Sequence, residues 1–180
     1  MSRGIARKHG IAARAALVLL LAVGAAACGE DDDPTDVETI DLEEVVGIYD
    51  PTALEFDPQG SAPAADVLPL IQGTQPQLVI SQTGVFQIAF LDPVTNLIET
   101  PGGSVEPTET GVRLVFSDQA AADLLLMPRT VELEWDPTAG VLSTSGDAEV
   151  SRARLLELFP EIYADEQFFD PTPGTLEVVF

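Results

Sequence analysis

Val131-Glu132-Leu133-Glu134-Trp135, followed at once by Asp136-Pro137-Thr138-Ala139-Gly140, decides how this chain folds. Three large apolar residues alternate with two carboxylates. A period of two places the apolar set on one face of a strand and the acids on the other. In the pentapeptide that follows, Asp at the first position and Pro at the second favour a type I turn, and Gly140 supplies a left-handed residue. Together these make a half-buried antiparallel strand running into a four-residue hairpin loop.

The same unit recurs along the chain. Phe86, Ile88 and Phe90 share one strand face, with Gln87 and Ala89 opposite; Val112, Leu114 and Phe116 alternate around Arg113, and Leu176, Val178 and Phe180 around Glu177 and Val179. Asp92-Pro93-Val94-Thr95-Asn96 and Asp170-Pro171-Thr172-Pro173-Gly174 repeat the turn frame, and Asp57-Pro58-Gln59-Gly60 is a shorter relative. Their acids could be read as repeated calcium ligands. Turn chemistry accounts for them without a metal, and neither a metal site nor a cofactor is expected. The strands between the turns differ too much for a sequence repeat.

Two segments break the alternation. Asp118 to Met127 reads as a short helix capped by Ser117 or Asp118 and stopped before Pro128, and Ser151 to Phe159 as a second that stops at Pro160. Ala64 to Gly73 could form a lid, in which Pro69 limits any helix. The expected fold is all-β: a small antiparallel up-and-down barrel with one or two short helices, the alternative being a β-sandwich.

The N-terminus has a different character. A basic head holding Arg3, Arg7, Lys8 and Arg14 precedes an apolar run from Ala15 to Val23, then Gly24, Ala25, Ala26 and Ala27, then Cys28, the single cysteine of the chain. The apolar run falls short of the roughly 20 residues a membrane-spanning helix needs, so it reads as an export signal to be removed. Gly29-Glu30-Asp31-Asp32-Asp33 opens an acidic stretch. The expected organisation is a signal peptide at residues 1–27, an acidic flexible tether at 28–44 and a single β domain at 45–180.

Ala25-Ala26-Ala27-Cys28 resembles the lipobox of bacterial lipoproteins at its small residues and its cysteine, and departs from it where Ala25 replaces the usual leucine. The resemblance implies cleavage between Ala27 and Cys28 and a diacylated Cys28 anchoring the chain to a membrane on the exported side of the cell envelope. The rival reading is cleavage by the ordinary secretory peptidase, for which Ala25 and Ala27 also serve, leaving a soluble protein with a free thiol.

Removal of residues 1–27 leaves 153 residues, enough for one domain with a core. Four arginines then stand against thirty acids, an excess of 26 negative charges. Such a surface repels phosphate backbones and anionic headgroups, so neither nucleic acid nor a peripheral membrane surface is an expected partner. It also predicts that salt raises the melting temperature by screening self-repulsion. His9 leaves with the signal and no lysine remains. Zinc or copper sites built on imidazole or thiolate, Ser-His or Cys-His nucleophiles and Schiff-base chemistry are therefore closed to the exported chain. Carboxylate chemistry survives: paired acids at a glycosidic bond, or a hard cation.

Gly47-Ile48-Tyr49 resembles the Gly-x-Trp opening of lipocalin-like domains, with Tyr in place of Trp. The apolar hook Val67 to Ile71, the hairpin Leu78-Val79-Ile80 to Val85-Phe86, and Val131 to Trp135 are similar to features of small lipocalin-like bacterial lipoproteins. That resemblance implies an up-and-down barrel, with an apolar cavity in some members, and no particular ligand.

Individual residues read as follows. Arg113 belongs on the wet face of its strand, or else meets an anionic ligand inside. Trp135, Phe86 and Phe90 belong to the core in preference to a pocket, and Glu132 and Glu134 to a solvated stripe in preference to an acid/base pair. Arg152 and Arg154 should pair with Glu149 or Glu157 at the surface, and Tyr49 and Tyr163 should lie at the core edge. No catalytic residue is assigned. The expectation is a monomeric, membrane-anchored, non-catalytic protein holding a small apolar ligand. The alternatives are an envelope protein-interaction module with a filled barrel and, more distantly, a carboxylate-dependent hydrolase.

Overall fold

The computed structural model describes residues 38–71 and 75–180. The signal peptide, the Ala27–Cys28 cleavage point, the Cys28 attachment point and residues 28–37 of the tether lie outside the described residues. Among those described, the strands are β1 (Gly47–Tyr49), β2 (Ala53–Pro58), β3 (Ala65–Asp66), β4 (Gln77–Ile80), β5 (Val85–Leu91), β6 (Ile98–Glu99), β7 (Gly102–Pro107), β8 (Gly111–Phe116), β9 (Thr130–Asp136), β10 (Val141–Val150) and β11 (Thr172–Val179). The helices are short: α1 (Leu68–Ile71), α2 (Gln119–Asp123), α3 (Arg152–Leu158) and α4 (Pro160–Tyr163). The fold class is all-β.

The strands pair antiparallel in the order β1-β4-β5-β7-β8-β9-β10-β11-β2-β3, with β6 attached to β5. β1 pairs with β4, whereas β2, three residues further on, pairs with β11. The two ends of the strand order therefore meet in one bent segment, where the Thr52 amide donates to the Val179 carbonyl at 2.7 Å. The chain itself carries the sheet round, and the result is a small curled, barrel-like sheet with up-and-down connections.

Period-two alternation places the core inside. Phe86, Ile88 and Phe90, Val112, Leu114 and Phe116, Val131 and Leu133, and Leu176, Val178 and Phe180 are all buried, while Glu132, Glu134 and Glu177 face outward. Each large apolar side chain buried in this way contributes about 1.5–3 kcal/mol. Phe86 and Phe116 meet edge to face at 5.0 Å.

The two ends of the sheet differ. At one end the strands are joined by tight turns: 81–84, 108–110 and 137–140. At the other, longer connections carry the four helices and β6. Asp118 caps α2 by accepting from the Ala121 amide at 2.8 Å, and Ser151 caps α3 by accepting from Arg154 at 3.3 Å, where the sequence places helix starts. α1 is a single turn that contains Pro69, consistent with that residue's missing donor.

Two expectations need correction. The packed chain begins before residue 45: Ile40 donates its amide to Thr108 O at 2.9 Å, Asp41 caps a 3-10 turn over Leu42–Val45, and Val45 is fully buried. Ile40 and Leu42 pack on the core, an apolar signal diluted in the sequence by the acids around it. The third Asp-Pro frame makes no hairpin. Asp170–Pro171 is cis, and Gly174 lies within β11 opposite Pro58. A Cβ there would come within 2.4 Å of the Asp57 carbonyl and the Phe56 ring, so this glycine serves close approach between strands and not a turn.

Candidate functional site

Among the described residues, the inward strand positions are largely apolar. Phe56, Phe86, Phe116, Leu78, Ile80, Ile88, Leu114 and Leu133 are each fully buried, so the inward positions are occupied by the protein's own large side chains. Trp135 packs edge-on against Tyr49 at 6.2 Å, toward the tight-turn end, and the Tyr49 hydroxyl donates to Val45 O at 2.8 Å. Burial raises the Tyr49 phenol pKa. Core packing is thus the role of Phe86 and Phe90, and an edge position that of Trp135 and Tyr49.

Arg113 lies on the outer face of β8. It donates to Glu132 on β9 at 2.6 and 2.9 Å and to Glu106 on β7 at 3.3 Å. Those register partners follow from the ladder, which sets Arg113 opposite both acids. Hydrogen bonds to Glu132 and then Glu106 raise its pKa further. Glu132 and Glu134 border an open groove over β9–β11 together with Thr108, Ser143, Ser145 and Glu177. Glu132 is engaged by Arg113, and both acids stand in solvent, so they form no enclosed acid/base pair. Among the described residues, no three His, Cys, Asp or Glu side chains gather as a metal site would require.

Arg154 departs from the sequence reading. It is 6% exposed, and its Nη2 donates to Asp92 Oδ2 at 2.6 Å and to Leu124 O at 3.2 Å. Its Nη1 reaches Glu157 at 3.3 Å, the partner expected from the i,i+3 spacing. Asp92 is fully buried and sits 62 residues away in sequence. A separation of that size leaves no local signal; an arginine on an otherwise apolar helix face was the available hint. The pair ties three connections at the helix-bearing end: the β5–β6 turn, the end of α2 and the start of α3. Tyr163, also fully buried, adds a fourth tie by donating its hydroxyl to Pro63 O. Burial, with smaller contributions from Asp57 and Glu55, pushes its phenol up to about 12.

Among the described residues, no helix is long and apolar enough to cross a membrane. Comparison with protein-family models, with curated proteins and with solved structures finds no match to this chain.

Proposed function

We propose that this is a non-catalytic, lipid-anchored extracytoplasmic protein of the cell envelope that works as an interaction module through the outside of its barrel. The observation that carries this reading is the filled interior: eight large side chains with under 2% exposure occupy the inward positions that a ligand-holding barrel would leave open. The lack of His and Lys in the exported chain supports a non-catalytic role, and the small residues before Cys28 support the anchor.

Native mass spectrometry of the full chain released from detergent tests the filled barrel. The expected spectrum is protein without a co-purified small molecule; a stoichiometric apolar ligand would restore the lipocalin-like binding role. The anchor has its own test. Cys28→Ala should shift the protein from the detergent phase to the aqueous phase, and an unmodified N-terminus in the wild type would defeat it.

A further inference from the structure

The β5–β6 turn is held more firmly than its outward residues require for their own sake. Asp92 Oδ1 accepts the amides of Val94 and Thr95 at 2.7 and 3.2 Å, and its backbone amide donates to Leu97 O at 2.9 Å. The other carboxylate oxygen is locked to buried Arg154. A buried ion pair is weak as a source of stability and is better suited to holding one geometry. The geometry held here presents Val94, Leu97 and Ile98 to solvent at 48, 61 and 78% exposure. Three exposed aliphatics fall within five residues at one hairpin tip, closer together than singly scattered surface leucines. A tip fixed before contact loses little conformational entropy on binding.

We propose that this tip docks an apolar segment, flanked by basic residues, of another protein. This rests on the interaction-module reading above and names its partner's chemistry. Charge selects the occupant. Asp92 and Glu157 share the single cation Arg154, which leaves one negative charge in excess beside the tip, and Glu99 follows Ile98 directly. A second copy brings the same surplus, since residues 38–180 hold 25 acids against four arginines, and an anionic bilayer is repelled for the same reason.

Full-length protein in neutral detergent micelles can be titrated into fluorescein-labelled 16-residue peptides, with binding read by anisotropy. The probes are a Leu/Lys amphipathic helix, its Leu/Glu counterpart and a Gly/Lys peptide of equal charge. The Leu/Lys peptide should bind tightest, weaken about tenfold in Leu97→Ser/Ile98→Ser, and weaken a few-fold in Glu157→Gln. Val94→Ser is a second, independent reporter, and unchanged melting curves verify that each variant is folded. Equal binding of Leu/Lys and Gly/Lys peptides, or affinity indifferent to the serine variants, overturns the proposal. So does finding that those variants instead abolish self-association or partition into phosphatidylglycerol vesicles. Cys28→Ala should leave peptide affinity unchanged, so failure of the anchor and failure of the docking tip are read separately.

Discussion

Asp92 and Asp136 head nearly identical turns at opposite ends of the sheet. In each, one carboxylate oxygen accepts two successive amides, at 2.7 and 3.2 Å for Asp92 and at 2.8 and 3.2 Å for Asp136. In each, the fifth residue, Asn96 or Gly140, turns left-handed at φ 55° or 69° and donates back to the aspartate carbonyl at 2.8 Å. Yet Asp136 is exposed, whereas Asp92 is fully buried against Arg154. One five-residue frame therefore serves as a plain hairpin at the tight-turn end and as the keystone of the helix-bearing end. Local chemistry made the turn, and the neighbours decided its role.

Neutralising each carboxylate gives the largest expected contrast. Asp92→Asn keeps an oxygen for the turn amides but deprives buried Arg154 of its closest counter-charge. It should cost about 3–5 kcal/mol, the range for breaking a buried pair. Asp136→Asn should fall within about 0.5 kcal/mol of wild type, as exposed substitutions do. Urea unfolding of the two variants side by side measures the difference, and equal costs would erase the distinction between the ends.

Tyr163 extends the test of the helix-bearing end to pH. Its folded pKa of about 12 lies above the ordinary value of 10.0. The stability it contributes is therefore complete below pH 10 and is lost as the pH rises from there through about 12, because the unfolded chain releases that proton first. Tyr163→Phe should lower stability at pH 8 by about 1 kcal/mol through the lost hydrogen bond to Pro63. It should also flatten the decline between pH 10 and 12, which thermal melts across that window will show.

The left-handed positions sharpen the comparison at the level of backbone. A Cβ at Gly140 would meet nothing within 4 Å, so Gly140→Ala isolates the conformational cost, about 1 kcal/mol. Asn96 already occupies the same left-handed region, so Asn96→Gly should change stability less than Gly140→Ala does. Smallest of all, Glu132→Gln should leave the melting temperature unmoved. Its partner Arg113 is exposed, and such surface pairs are screened by solvent and salt.

Much of this architecture is legible in short windows. Inward and outward residues of β5, β8, β9 and β11 follow from period two, because a pleated strand sends alternate side chains to opposite faces. Asp118 and Ser151 announce helix starts because their short side chains reach the orphan amides of a first turn. The turns at Asp92 and Asp136 are equally local. The outward Arg113 and the solvated Glu132 and Glu134 follow from the same alternation. The filled interior does not: a ligand-holding barrel shows the same period of two, and the sequence reading favours a small apolar ligand.

What the sequence by itself determined is thus everything reached within about ten residues: the strand faces, two of the three Asp-Pro hairpins, the helix caps and the charge. The tertiary structure alone decided how β1 and β2 share one bent segment between β4 and β11. It decided that Gly174 lies against Phe56 instead of closing a turn, and that Arg154 reaches past Glu157 to Asp92. These contacts join residues far apart in the chain. No local preference selects them, because their free energy exists only once the curled sheet has brought the partners together and excluded water from between them.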